Sequence, residues 1–365
     1  MVHFKEIGGN FTLKSPIAGF EEECVFQDKS PYFFSSGRSA ILAMIQLTKA
    51  EGKKVAMPYF TCHSVIEPFV KRECQIVYYP IELDLKVDEK AMRDFCYLEQ
   101  PYLLFYHDYF GLNEAEKWQN IYNELQDNVI FVNDQTHSFF NAQASAMSHY
   151  SLMSIRKWGG ISEGGVLRVN QGVEASVVYA NRPETDGRLK SYNEASQLKE
   201  AYLHGDEGIS KESFRALFYQ SESFFDLEDE VYPIHKTAML AWVHFLQSDF
   251  SERRKYNFQL LDSGWMKEWT IWGEPVIEFS GDVTPLYFPV MLKVNRKKLQ
   301  NFLAANKVYA PIIWPKSTLI HADGDDTLYH QLLCIPIDQR YGAEEMKAVI
   351  QLFADFHLIV CDERN

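Results

Sequence analysis

In the stretch SLMSIRKWGGISEGGVLRV, residues 151–169, a single lysine, Lys157, stands between an apolar strand-like run and a glycine-lined turn. Such a setting suits an amine that must reach one fixed atom, and an amine whose surroundings lower its pKa is a Schiff-base nucleophile. Ser151 and Ser154 just before it offer hydroxyls able to hold a phosphate, and the three-residue spacing favours Ser154. Three other stretches carry complementary chemistry. In SSGRSAILAM, Ser36, Gly37, Arg38 and Ser39 precede an apolar helix, whose unpaired N–H groups and partial positive charge can seat an anion. In VIFVNDQTH a β-rich run ends in Asp134, with His137 three residues on. That carboxylate can pair with a protonated ring nitrogen, and the imidazole can lie against the same ring. In AMPYFTCHSV, Pro58 closes a strand and Phe60, Cys62 or His63 could stack on a flat group.

Each stretch alone also reads as ordinary structure: an N-cap serine, a turn aspartate, a core phenylalanine. Together, an anion seat, an acid for a ring nitrogen, a stacking group and a lysine are the parts of a pyridoxal 5'-phosphate (PLP) site. A cysteine nucleophile fits less well, because neighbouring Cys62 and His63 diverge and no third orienting group is evident.

These residues need a scaffold. Between 37 and 170 the runs KVAMP, QIVYYPI, YLLFYHD, VIFVND, YSLMSI and GVLRV read as strands, and RSAILAMIQLTKAEG and EAEKWQNIYNELQD as helices between them. That alternation predicts an α/β fold with a largely parallel sheet covered on both faces, ligands gathering at the carboxyl ends of the strands. From 175 to 235 the pattern turns polar, and NRPETDGRLKSYNEASQ reads as an exposed connection. Residues 236–262 read as one long helical run leading to a second lobe with strands LYFPVMLKV and LLCIPID and helices KKLQNFLAANK and AEEMKAVIQLFADF.

The 365-residue length predicts about two domains. With 46% hydrophobic residues and no long uncharged apolar run, the chain reads as globular and without a membrane span. A formal net charge of -14 with no basic stripe argues against nucleic acid. The start, MVHFKEIGGNFTLK, lacks a basic flank before an apolar region, and cysteines 24, 62, 74, 96, 334 and 361 show no zinc-type spacing. Both predict a cytoplasmic protein with free thiols and no metal.

The chain resembles the DegT/DnrJ/StrS family of fold-type-I, PLP-dependent sugar aminotransferases. SGRSAI at 36–41 resembles the family's phosphate-holding SGTAAL, PYFTCHSV at 58–65 its stacking segment, and DQTH at 134–137 its D-x-x-H. KWGGISEGG at 157–165 resembles the lysine followed by EGG, and YHDYFG at 106–111 the H-x-Y-G strand end. The likeness is good over residues 30–170 and weaker beyond. It implies a large PLP-binding domain, 1–235, with a mostly parallel seven-stranded sheet between helices, and a linker helix with a smaller α+β domain, 236–365, on which the N-terminal segment can pack. It also implies a homodimer in which Lys157 is catalytic through a Schiff base, with Gly37, Arg38, Ser39, His63, Asp134, His137 and Ser154 binding the cofactor. An amino group would pass from an amino acid, glutamate in the family, to a keto-sugar, nucleotide-linked in the family. Relatives that dehydrate carry histidine for the lysine, and Lys157 points away from them. Three departures stand out: Arg38 replaces a threonine, Cys62 or His63 an aromatic ring, and EDEVYPIHKTAM the G-x-N-x-R-M that reaches the neighbouring subunit's site. They keep open a regulatory, non-catalytic role or another PLP reaction on the same scaffold.

Overall fold

The computed structural model describes residues 6–13, 31–111, 115–140, 147–171, 176–182, 187–276 and 283–363. Cys24 lies outside them. In chain order the first part holds β1 (Ile7–Gly8), β2 (Tyr32–Phe34), α1 (Gly37–Thr48), β3 (Lys54–Pro58), α2 (His63–Lys71), β4 (Gln75–Tyr79), α3 (Glu89–Glu99) and β5 (Leu103–His107). Then come α4 (Ala115–Leu125), β6 (Ile130–Asp134), β7 (Tyr150–Ser154), β8 (Gly165–Val169), α5 (Gly187–His204), α6 (Lys211–Ser223) and α7 (Lys236–Leu246). The rest is α8 (Phe250–Ser263), β9 (Gly273–Pro275), β10 (Tyr287–Leu292), α9 (Arg296–Ala305), β11 (Val308–Tyr309), α10 (Thr327–Gln331), β12 (Leu332–Pro336) and α11 (Ala343–Asp362).

Seven strands form one sheet in the order β2-β8-β7-β6-β5-β3-β4. The run β7-β6-β5-β3-β4 is parallel, and β8 and β2 close it antiparallel. All five residues of β5 are buried, as a central strand covered on both faces requires. Strand alternation sorts them: Leu103 and Phe105 pack with α1 and α2, while Leu104 and Tyr106 meet Trp118, Ile121 and Tyr122 of α4. The same parity sends His107, at the end of β5, to the α1 face. A three-stranded antiparallel sheet, β12-β10-β9, lies in the C-terminal part, and β1 pairs parallel with β11.

Two sequence expectations need correction. The polar stretch after 175 contains two full helices, α5 and α6, rather than an exposed connection. Their signal was hidden because α5 buries Arg188, Ser191, Ser196 and Lys199 through polar partners, which blurs the apolar stripe that marks a helix. The long run 236–262 is broken: α7 ends with Gln247 as its C-cap and α8 begins after Asp249. The break lets Met239 and Trp242 of α7 pack with Met153, Ile155 and Trp158. Meanwhile Phe258 and Leu261 of α8 join the core that includes β10.

Candidate active site

A cavity of about 490 Å³ opens at the carboxyl ends of β6 and β7, between α1, α2 and the loop after β11. Gly37, Arg38, His63, Asp134, His137, Ser154 and Lys157 all line it, so seven of the eight residues singled out from sequence meet there. Register explains the first contact. His107 and Asp134 are direct neighbours across parallel β5 and β6, and His107 Nδ1 lies 3.0 Å from Asp134 Oδ2. The other ring nitrogen of His107 is 2.7 Å from Thr61 Oγ1, and the Thr136 amide donates to Asp134 Oδ1 at 2.9 Å. Burial alone would raise the Asp134 pKa, but His107 and Thr136 outweigh it and hold the carboxyl below its usual 3.8. The carboxylate is therefore ionised and fixed in direction.

His137 sits in a ring stack, 4.7 Å from Phe110 on one side and 5.1 Å from Trp314 on the other. It is buried, and burial drives its pKa down to about 3, with Lys157 and His107 adding to the fall against Asp134. The imidazole is neutral, and its Nδ1 has no hydrogen-bond partner among the described residues. A buried nitrogen left unpaired on a cavity wall is a place where a ligand can supply what the protein does not. Phe110 holds a left-handed backbone, φ 54°, which costs a phenylalanine energy and keeps its ring in the stack.

Lys157 lies just past β7, is exposed, and lines this cavity. The protein around the amine lowers its pKa from 10.5, first by desolvation and then through neighbouring Arg156, against the opposing pull of Glu222. Arg156 and Glu222 form an ion pair beside it. A lysine that sheds its proton readily can act as a nucleophile and as a base.

The glycines after Lys157 shape the backbone beside the start of α1. A Cβ on Gly165 would overlap the carbonyl of Ser36, so only glycine lets β8 pass against the start of α1. Gly164 adopts φ +137° with Ile155 packed on it, and Glu163, fully buried, is held by Arg182 and Arg188. Ser36 caps α1 by accepting the Ser39 amide at 3.1 Å. Ser154 stands beside Gly37, the Cβ position of that glycine being 3.7 Å from Ser154 Cβ. Ser151 faces away, tied to Asn170 at 2.7 Å, which leaves Ser154 as the serine of this pair on the cavity.

Ser39 is the exception among the expected residues. Its hydroxyl accepts the Tyr232 amide at 2.7 Å and does not line the cavity, because helical geometry turns it toward the 230–232 segment. Arg38 reaches the cavity but its guanidinium is shared between Glu67 at 2.7 Å and Asp226 at 2.6 Å. Of the three stacking candidates, Phe60 is core, packed with Tyr109, Trp314 and Tyr329, while Cys62 and His63 line the mouth. His63 Nδ1 is 2.8 Å from Ser317 Oγ.

Sequence reasoning missed Thr136, whose hydroxyl accepts the Ser154 amide at 3.0 Å, and also Arg156, Glu222 and Trp314. Thr136 could have been found within DQTH, since a hydroxyl two residues after a strand-ending aspartate turns back on it. Trp314 and Glu222 are distant in sequence, and no local signal marks them.

An ionised carboxylate, a neutral ring wall with an open nitrogen, a helix N-terminus with a serine, and a loosely protonated amine together fit PLP. Each group matches a part of the cofactor: ring nitrogen, ring face, phosphate and aldehyde. Among the described residues no cluster could hold a metal ion.

No family model matches the sequence, and no curated protein sequence matches it. Solved structures do resemble the fold. A Streptococcus pneumoniae protein assigned as a sugar aminotransferase, in its PLP form, is 14% identical, with a TM-score of 0.59 over 90% of this chain and 87% of that one. A DegT DnrJ EryC1 StrS aminotransferase from Brucella abortus is 15% identical, with a TM-score of 0.61 over 90% and 86%. Helicobacter pylori PseC, an aminotransferase involved in the biosynthesis of pseudoaminic acid, is 13% identical, with a TM-score of 0.63 over 90% and 86%. At such identities the likeness fixes the fold, which is that of the fold-type-I PLP aminotransferases.

Proposed function

We propose that the protein is a PLP-dependent aminotransferase that moves an amino group from an amino acid, glutamate first, to a nucleotide-linked keto-sugar, with Lys157 as the catalytic amine. One observation carries this reading: Lys157, Asp134, His137 and the α1 N-terminus with Ser154 line a single cavity. The neighbours in fold, named as aminotransferases and in one case as a sugar aminotransferase solved with PLP, support the same assignment.

When bound, PLP supplies an electron sink for a carbanion next to nitrogen. Asp134, kept ionised by His107 and Thr136, would hold a proton on the ring nitrogen. His137, held in the stack with Phe110 and Trp314, would offer its unpaired Nδ1 to the cofactor, and Gly37, Ser154 and the first turn of α1 would take the phosphate. Lys157, its pKa lowered, would bind the cofactor and carry the proton between substrate and cofactor carbons. Arg38 would contribute by giving up one of its two carboxylates.

The same reading divides the chain near residue 236 into a cofactor domain and a smaller one, and pairs two copies. Tyr219, 79% exposed, is an apolar side chain open to such pairing at the edge of the cavity it lines. The described cysteines form no disulfide, and no described helix is long and apolar enough to cross a membrane. The test is amino transfer from glutamate to a panel of keto-sugar nucleotides: product in the parent and none in Lys157→Ala is expected, and equal turnover in both would end the reading.

A second reading has its own observation. Carboxylates crowd the anion seat, with Asp226 and Glu67 on Arg38 and Glu228 on Ser36. This favours a protein that keeps the fold and has lost turnover, and failure to take up PLP at millimolar concentration would decide for it.

A further inference from the structure

Arg38 stands in the first turn of α1, where the anion seat needs positive charge, yet it is tied to two carboxylates. Its Nε donates to Glu67 Oε2 at 2.7 Å and its Nη2 to Asp226 Oδ1 at 2.6 Å. One guanidinium with two carboxylates carries a net negative charge, which repels a phosphate instead of drawing it in. For Arg38 to hold an anion, one carboxylate must leave. The two are not equivalent. Glu67 of α2 has a side chain only 15% exposed and also holds Lys71 at 3.0 Å, so it sits in a pair that is costly to break. The Asp226 side chain is 62% exposed and lines the cavity beside Gly37 and Arg38. Such a carboxylate gives up its cation at little cost, because water takes the cation's place. The backbone beneath Asp226 is held, so only its side chain need turn. Phe225 next to it is 1% exposed, with the guanidinium groups of Arg156 and Arg188 lying 4.3 and 4.8 Å from its ring centre. Lys71 donates to the carbonyls of Asp226 at 3.3 Å and Glu228 at 3.2 Å, and Arg72 to that of Asp229 at 2.7 Å.

We propose that Asp226 is a built-in counter-ion of the phosphate seat: it holds Arg38 until a phosphate takes the guanidinium, and by competing for that cation it sets how tightly the seat binds phosphate. Glu67 stays in place and Asp226 turns to water. That the phosphate belongs to the cofactor rests on the aminotransferase reading; the exchange at Arg38 concerns phosphate alone. The same strap supplies Glu228 as acceptor for the Ser36 hydroxyl, so both residues flanking Gly37 are engaged by carboxylates of one segment, and the one on Arg38 is the more exposed.

Equilibrium dialysis with PLP and, separately, with pyridoxal, which has the same ring and aldehyde and no phosphate, tests this on the intact protein, Asp226→Asn and Asp229→Asn, each checked for folding by circular dichroism. Isothermal titration with inorganic phosphate runs beside it. Asp229→Asn removes the same charge from the same strap but away from the cavity. Asp226→Asn is expected to bind PLP and inorganic phosphate about fivefold more tightly than the parent, with pyridoxal unchanged. Asp229→Asn should stay within about twofold of the parent for all three, since an exposed charge farther off is screened. Equal phosphate and PLP affinities in Asp226→Asn and the parent, an equal gain for pyridoxal, an equal gain in Asp229→Asn, or no binding of either phosphate compound by any of the three proteins would overturn the proposal. A gain for inorganic phosphate in Asp226→Asn, with PLP and pyridoxal taken up by none of them, would keep the counter-ion and remove the aminotransferase reading.

Discussion

At Lys157 the property that matters is a loosely held proton. The acting form of the amine is the neutral one, so turnover should climb with pH through a pKa below the ordinary 10.5. Glu222 favours the ammonium form and Arg156 opposes it. Glu222→Gln is therefore expected to move the rising limb of the kcat profile to lower pH, and Arg156→Gln to higher pH; limbs that stay put in both variants would disconnect the amine from the rate. Asp134→Asn, which keeps shape and removes charge, should cut turnover by about 10² to 10⁴-fold, read as kcat at saturating substrate. His137 carries a stability consequence. In the unfolded chain it protonates near 6.5, but in the fold only near 3, so the fold loses stability as pH falls between those values, by roughly 5 kcal/mol in all. His137→Phe keeps the ring stack and removes the titrating nitrogen, so its acid-unfolding midpoint should lie at lower pH than the parent's, measured by near-ultraviolet circular dichroism.

At the scale of elements, the strands that position the site were legible because buried parallel strands are short apolar runs, and KVAMP and VIFVND each gave one. The stops were legible too: Asp134 ends β6 and Ser154 ends β7, and ligands gather at such ends. What could not be read was α5 and α6, whose buried charges, such as Lys199 and Arg188, erase the apolar period. Nor could the loop carrying Trp314, since only tertiary packing brings it onto His137. Ser39 was misread because a helix turn presents Gly37 and Arg38 to the cavity and turns the next hydroxyl away. The second glycine after Glu163 has a reason. Gly165→Ala would press a methyl into the backbone of Ser36, which cannot swing aside, and should cost about 1–3 kcal/mol. Urea denaturation checks the loss, and weaker PLP uptake in the folded fraction would link the close approach to the anion seat.

At the scale of the whole molecule, the N-terminal segment fastens distant parts. Glu6 is buried between Lys199 of α5 at 2.7 Å and Lys211 of α6 at 2.7 Å, while β1 pairs with β11. Burial would raise the Glu6 pKa, yet the two lysines lower it, so the stability it adds is lost as pH falls through that lowered value. Lys199→Met strips one cation from a buried carboxylate and is expected to destabilise the fold by about 3–5 kcal/mol, with residues 6–13 becoming the first site of limited proteolysis.

The central claim is that Lys157 is the amine that takes PLP. The most direct measurement is borohydride reduction of PLP-loaded protein followed by peptide mapping by mass spectrometry. The account predicts one pyridoxyl group, on the peptide containing Lys157, and none in Lys157→Ala. A label spread over surface lysines, or equal labelling of the variant, would contradict it.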